Sequence, residues 1–537
     1  MSTVYRAAAV HAPHLHAPGE PAPTALVVTG GRITWIGREA DPGAPDPGWD
    51  VDQVVDLGDA VLAPAFVDAH AHVTETGLLL RGVDLRQARN LTQLLDAVAA
   101  AARDGSGLVL GHGWDERRLA EGRPPTAAEL DRAAGPARVY LSRVDVHSAV
   151  ISTVLARACG ATTLDGWDGT GRVERDAHHA ARAATRAGLT PADRREAQLA
   201  ALQAAAGAGI AALHEMSAPH IASEDDLREL VALAGDADRA LPQVVPYRGE
   251  LVTEAQQARE LVARLGVPLA GLGGDLCVDG SIGSRTAAWH EDYADVPAGT
   301  AGARGHLYLT VEQIRDHVAA CTRAGLQAGF HVIGDAAVDA ARRGIRRAAE
   351  QVGIAAVRTA RHRLEHVEAI DHEGILDLAD LRVTASVQPV FDALWGGDGG
   401  MYAARLGPAR ALALNPLGAL AAAGVPLALG SDSPVTPFDP WGAVLAWVRH
   451  HAPDQRTDVA TAFAAHTAGG WRAARTDGAG RLEVGAAATF AAWDLGARPD
   501  PHAPLAGLDA APACLLTVGA GRTLHDVTRQ VASDARG

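Results

Sequence analysis

The apolar positions of this chain fall into two periods. Short runs of small and β-branched residues, in which alternate side chains share a face, occupy residues 63–72, 209–215, 241–246, 271–278, 326–331, 361–366, 382–388 and 425–430. Between the later runs lie longer stretches whose apolar residues recur every three or four positions, such as 311–325 and 336–353. Strands that alternate with amphipathic helices predict a parallel sheet closed into a barrel. The first and second runs are too far apart for one strand–helix unit, so residues 82–199 are expected to form an insertion. It has helix-like residues 91–102, strand-like 108–110 and 137–141, and helical patterns around 149–157 and 175–187. Near the start, residues 25–28, 32–36 and 52–57 read as strands, with Gly30-Gly31 as a hairpin turn and a Pro- and Gly-rich loop at 41–47. Near the end, residues 480–485, 489–493 and 515–523 read as strands.

Composition narrows the class. A chain of 537 residues is longer than one ordinary domain, and 48% hydrophobic content allows a large core. Acidic groups outnumber basic ones by 64 to 48, a formal charge of −16 that opposes binding to nucleic acid or to an anionic membrane. No apolar stretch reaches the about 18 residues of a membrane span, and the first residues lack the apolar region of a signal peptide. Cys159, Cys277, Cys321 and Cys514 are scattered without a CxxC pair, which predicts reduced thiols, a cytoplasmic protein and no zinc ribbon. The chain contains no lysine; all 48 basic residues are arginine. A pyridoxal Schiff base, a P-loop lysine and a lysine nucleophile are therefore excluded.

Residues 63–72 read APAFVDAHAH and end in His70-Ala71-His72. Two imidazoles on one face at the end of a strand can bind one metal ion through neutral nitrogens. His14-Leu15-His16 has the same spacing in a Pro-rich loop, so the pair gains weight only from the strand ends downstream of it. Those later runs also end in possible ligands: GFHVIGD at His331, RHRLEH at His366, PLALGSD at Asp432, and DLCVDG opening on Asp275. Histidines and carboxylates at the C-terminal ends of successive strands describe the catalytic face of a (β/α)8 barrel.

With these motifs the chain resembles the metal-dependent amidohydrolase superfamily, and within it the branch that contains N-substituted formamide deformylase. HVIGD at His331, LEH at His366 and GSDSPV at Asp432 carry the likeness, as do Gly113-Trp114-Asp115, Leu130-Asp131 and Asp145-Val146-His147-Ser148. The resemblance implies an α/β fold with a TIM-like barrel over residues 63–81 and 200–477. It implies a composite β-sandwich from 1–62 and 478–537, and an α/β insertion, 82–199, over the barrel mouth. It also implies the metal ligands His70, His72, His331, His366 and Asp432. Such mixed imidazole and carboxylate ligation suits zinc, and also iron, manganese or nickel.

One position departs from the pattern. Two-metal relatives often carry a carbamylated bridging lysine on the fourth strand, four residues before the aspartate of a DGS segment. Here that segment is Asp279-Gly280-Ser281, which puts Asp275 at the lysine position. Asp275 either bridges two metals directly or stands beside a single ion; Asp279, on the same strand face, is its rival as ligand.

The expected activity is hydrolysis of a non-peptide carbon–nitrogen bond, of amide, formamide or imide type, in a small molecule. Asp432 would accept the proton of a metal-activated water and pass it to the leaving nitrogen, while His331 helps polarise the carbonyl. The alternatives are a deaminase of a heterocyclic amine and a non-catalytic binding protein with a degraded metal site. Trp114, His147, Arg285 and Gln388 are candidate substrate-binding residues; Arg285 fits an ion pair equally well. Asp335 is a candidate for orienting a neighbour. Glu365 is expected to point away from His366, and His178-His179, His450-His451, His14 and His16 to be solvated. A homodimer is the expectation from the general frequency of two-fold oligomers.

Overall fold

Residues 61–71 form one uninterrupted buried run that serves two sheets. Val61–Pro64 pairs antiparallel with Phe490–Asp494, and after Ala65 the strand Phe66–Ala71 pairs parallel with Ile210–Ser217. Phe66 holds the junction, with edge-on ring contacts to Trp441 at 5.3 Å, Phe463 at 5.1 Å and Trp493 at 5.5 Å. The structure is a computed structural model that describes residues 2–15, 19–38, 41, 51–103, 107–297 and 299–528. His16 and most of the loop expected at 41–47 lie outside the described residues.

The central sheet has eight parallel strands in sequential order: β1 (Phe66–Ala71), β2 (Ile210–Ser217), β3 (Gln243–Arg248), β4 (Gly271–Leu272), β5 (Gln327–Val332), β6 (Arg363–His366), β7 (Thr384–Val387) and β8 (Leu427–Leu429). Its edges meet just beyond the strand ends, where Asp432 N donates to His70 O at 2.8 Å and His72 N to Ser433 O at 2.8 Å. The result is a (β/α)8 barrel. Helix α1 (Val73–Arg81) follows β1 and packs against Pro191–Gly207 so closely that a Cβ on Gly77 would come 1.8 Å from Ala197 O. Alanine and glycine at such contacts let the helices approach the sheet and one another.

Strand β4 is much shorter than the expected 271–278. Gly273 (φ 153°) and Gly274 (φ 80°) turn the backbone out of the sheet, and a Cβ on Gly273 would come 2.2 Å from Gly329 N. The chain then returns beside β5, with Val278 N donating to His331 O at 3.0 Å. This detour carries Asp275 over the barrel mouth.

A four-stranded sheet (Arg32–Gly37, Ala25–Thr29, Ser2–Arg6, Gln53–Asp56) and a five-stranded sheet (Ala9–Val10, Val61–Pro64, Phe490–Asp494, Ala513–Gly519, Arg522–Asp526) share one apolar core, which includes Tyr5, Leu26, Ile33, Leu62, Phe490 and Leu516. Residues 480–485 are not a strand, although Leu482 reaches that core. The run expected at 515–523 is a hairpin that turns at Ala520 (φ 48°) and Gly521 (φ 80°). Between β1 and β2 stands a separate five-stranded sheet, in the order Arg172–Glu174, Ser148–Ile151, Arg138–Arg143, Leu108–Trp114, Val83–Asp84. The helical pattern read at 149–157 begins in fact as a strand; Ser152 caps the helix Thr153–Cys159 that comes next. Helix α2 (Arg175–Arg186) leads from this unit back towards the barrel. No helix among the described residues is long and apolar enough to cross a membrane.

Candidate metal and active site

Alternation along β1 puts Asp68 and His70 on one face, and His72 begins the turn into α1. His70, His72, Asp275 and Asp432 converge where the barrel closes, all buried. His70 Nε2 lies 3.3 Å from Asp275 Oδ1 and 3.3 Å from Asp432 Oδ1. His72 Nε2 lies 3.3 Å from Asp275 Oδ2 and 3.2 Å from Asp432 Oδ1. His366 joins His70 and Asp275 in a second close group that shares the first group's imidazole.

These distances fit a metal site. Two donors bound to one zinc ion at a tetrahedral angle stand about 3.3 Å apart. His70 Nε2 and Asp275 Oδ1 are buried and make no hydrogen bond with other protein atoms. Burial disfavours charge on both sides, yet Asp432 and Asp275 raise His70 well above the usual imidazole range. His72 and His70 in turn hold Asp275 well below the usual carboxylate range against the same burial. Such a field favours positive charge at the centre of the cluster, and the donors are of the imidazole and carboxylate types that hold zinc and related ions.

The surrounding residues fix the donors in place. His70 Nδ1 is 3.0 Å from Glu365 Oε2, and His366 Nδ1 is 2.8 Å from Gln388 Oε1, so each ring keeps Nε2 for the centre. Asp68 Oδ1 accepts from His70 N at 3.2 Å and Ser431 N at 3.0 Å, tying β1 to the end of β8. Asp432 (φ 54°) and His366 (φ 71°) both have left-handed backbones, rare for residues with a side chain. At His366 this breaks strand alternation, so Glu365 and His366 both face the barrel interior. The expectation that Glu365 points away is thus overturned.

Asp279 is not part of the cluster around His70. It accepts from the backbone N–H of Ala288 at 2.9 Å, Ile333 at 3.0 Å and Gly334 at 2.8 Å, and lies 3.5 Å from His331 Nδ1. It pins the loop after β5 and faces His331. The His331 ring stands 4.5 Å from His366 and 5.4 Å from His147, between centroids.

The other predicted residues divide. His147 reaches the mouth of the barrel and lines both cavities there. Gln388 contacts His366 rather than open space. Trp114 is 1% exposed in the core of the insertion, where its indole N–H donates to Leu141 O at 2.8 Å, so it is a packing residue. Arg285 is engaged by Asp295, at 3.0 and 2.7 Å, which favours the ion-pair alternative. Asp335 Oδ1 accepts from His290 N at 2.9 Å. His178 is buried, not solvated, with Nε2 2.7 Å from the Tyr140 hydroxyl; His450 is buried beside Asp392. His179, His451 and His14 are exposed.

Two cavities flank the cluster. The larger, of about 310 Å³, is lined by His72, His147, His178, Arg182, His220 and Asp275 among others. The smaller, of about 30 Å³, lies between His331, Asp432, Phe391, Trp395 and Tyr402. Sequence reasoning misplaced Glu365 and did not single out Arg182 and His220, which line the larger cavity, or Glu368, which lines the smaller one. Only the histidine and carboxylate types gave any signal, because their orientation depends on the barrel.

Comparison with known proteins agrees with this fold. The profile of the amidohydrolase family matches residues 53–525. Protein LONG AFTER FAR-RED 3 of Arabidopsis thaliana is 26% identical over 478 residues, covering 82% of this chain and 80% of that protein. N-substituted formamide deformylase of Arthrobacter pascens is 27% identical over 161 residues, 28% of each chain. In fold, the chain is similar to the solved structure of an uncharacterized metal-dependent hydrolase from Pyrococcus horikoshii OT3, with a TM-score of 0.71 and 24% identity over 94% of this chain and 98% of that one. Matched along most of its length, the chain belongs to the amidohydrolase family.

Proposed function

We propose that this amidohydrolase cleaves a non-peptide amide bond, of formamide or similar small-acyl type, in a small molecule. The observation that carries the reading is the set of four donors 3.2–3.3 Å apart at the barrel mouth, two of them buried without any other partner. His70, His72, Asp275 and Asp432 would hold one divalent ion, zinc by donor chemistry, with His366 and His331 beside them. When bound, such an ion acts as a Lewis acid and lowers the pKa of water. Without any lysine, a carbamate bridge between two ions cannot form.

Asp432 Oδ1 approaches both imidazoles, at 3.3 Å from His70 Nε2 and 3.2 Å from His72 Nε2. It serves as the base that takes the proton of the attacking water and returns it to the departing nitrogen. His331, which faces Asp279 at 3.5 Å and has no hydrogen-bond partner of its own among the described residues, would donate a hydrogen bond to the carbonyl oxygen as negative charge develops there. The small cavity beside His331 and Asp432 supports a small acyl half, because about 30 Å³ admits little more than one water-sized group. The similarity to a formamide deformylase points the same way.

We also read the two flanking sheets as one composite β-sandwich (1–62 and 478–537), with the barrel at 63–81 and 200–477. Residues 82–199 form an insertion that walls the mouth.

The test is formate release from N-substituted formamides by protein reconstituted with zinc, with metal content measured on the same sample. Zinc-dependent release is expected. A protein that takes up no divalent ion, or that releases only ammonia from heterocyclic amines, would refute the reading.

A further inference from the structure

The larger cavity has one wall from the insertion and one from the barrel. Helix α2 contributes His178, His179 and Arg182; the turn between the insertion strands Arg138–Arg143 and Ser148–Ile151 contributes Val146 and His147; the barrel contributes His72, His220, Asp275 and Cys277. A ligand in this cavity touches the metal cluster at one end and α2 at the other.

The charges lining it are nearly all accounted for. Glu75 is bound by Arg186, with Nε donating to Oε1 at 2.7 Å. Arg175 pairs with Asp165 at 3.0 Å. Asp275 faces His70 and His72, and Asp279 is capped by three backbone amides. Asp176 stands exposed at the rim. Away from the metal cluster the imidazoles are lowered: burial, then the neighbouring Arg182, lowers His178 and His179, and burial takes His147 down to about 4 and His220 to about 3.

Arg182 is the exception. It is half-buried; the Tyr140 hydroxyl lies beside it and Glu75 and Asp275 attract it, but Glu75 is held by Arg186 and Asp275 faces the imidazoles, so Arg182 makes no direct ion pair among the described residues. One of its nitrogens donates to Val146 O at 2.6 Å, and its Nε is buried without an acceptor. A guanidinium withdrawn from water without an ion-pair partner of its own is disfavoured in general. Such a group is therefore expected to meet an anion, and its planar fork matches a carboxylate.

We propose that Arg182 binds a carboxylate on the amine half of the substrate, so that the preferred substrates are N-acylated amines with an acidic group outside the scissile bond. This rests on the amide-hydrolase reading above. The small cavity takes the acyl half, and the 310 Å³ cavity is large enough for an amine half of amino-acid size.

The probes are N-formyl-L-leucine and N-(3-methylbutyl)formamide, which differ only in the carboxylate. Binding is measured by calorimetry on zinc-loaded protein carrying Asp432→Asn, with and without Arg182→Met or Arg182→Lys; formate release is measured on the otherwise wild-type chain. The acid should bind about 10-fold or more tighter than the neutral amide. Arg182→Met should bring that ratio to about one, and Arg182→Lys should keep part of it. Equal affinities, a preference that survives Arg182→Met, or no binding of either probe would overturn the assignment. An Arg182-dependent preference with no formate release would keep the assignment and remove the formamide reading. Formate release without a preference would do the reverse.

Discussion

His70 and Glu365, 295 residues apart in the chain, share a buried hydrogen bond of 3.0 Å. Burial alone would raise the Glu365 pKa, but Arg363, at 2.6 and 2.8 Å, holds it down to about 2. An ionised Glu365 only accepts, so His70 Nδ1 donates and Nε2 is the nitrogen turned to the cluster. Arg363 also donates to Ala69 O at 2.6 Å, which fixes the strand that carries His70. Glu365→Gln should therefore weaken zinc binding by about 10- to 100-fold. Competition with a chelator of known affinity measures this, and unchanged affinity would exclude the orienting role.

The same ion pair predicts an acid-sensitive fold. The folded-state pKa of Glu365, about 2, lies below its ordinary value of 4.5. Its contribution to stability is complete above the unfolded value and is lost as pH falls from about 4.5 through about 2. Asp275 and Asp432, also depressed, act in the same direction. The melting temperature of zinc-free protein should fall across this window, and less steeply in Glu365→Gln. Parallel curves for the two proteins would assign the acid sensitivity elsewhere.

Asp432→Asn should leave the fold intact and reduce turnover by about 10²- to 10⁴-fold, the usual range for a lost proton-transfer group. Steady-state formate release with circular dichroism as the control tests it. Near-wild-type turnover would remove Asp432 from the proton path.

Metal analysis should give one ion per chain after reconstitution with zinc. Asp275→Ala removes two of the close contacts to the imidazoles and should lose most of that ion on dialysis. Chelation should abolish activity and lower the melting temperature, because the ion binds the folded state. Two ions per wild-type chain would show that Asp275 stands in for the bridging lysine of two-metal relatives.

Trp114→Ala should act on stability. The indole fills the core of the insertion and donates a buried hydrogen bond to Leu141 O. A loss of about 3–5 kcal/mol is expected for such a truncation, measured by denaturant unfolding. A raised KM with unchanged stability would return Trp114 to the substrate pocket.

The barrel and the residue types at its mouth were legible in the sequence because they rest on local periodicity. Strand alternation and the helical repeats between strands mark the barrel's frame, and His70, His72, His331, His366 and Asp432 stand at strand ends that can be counted. The choice between Asp275 and Asp279 was not legible. Both fall on one face of an ideal strand, and only the turn at Gly273-Gly274, forced by close approach to Gly329, sends Asp275 to the cluster and leaves Asp279 to backbone amides. Glu365 was misread for a related reason: the left-handed backbone of His366 lets neighbouring side chains face the same interior. Sequence by itself determined which donors were available and roughly where along the strands they lay. Tertiary structure alone decided which donors meet, because ligand geometry depends on where distant strands close and on departures from ideal backbone that no local pattern encodes.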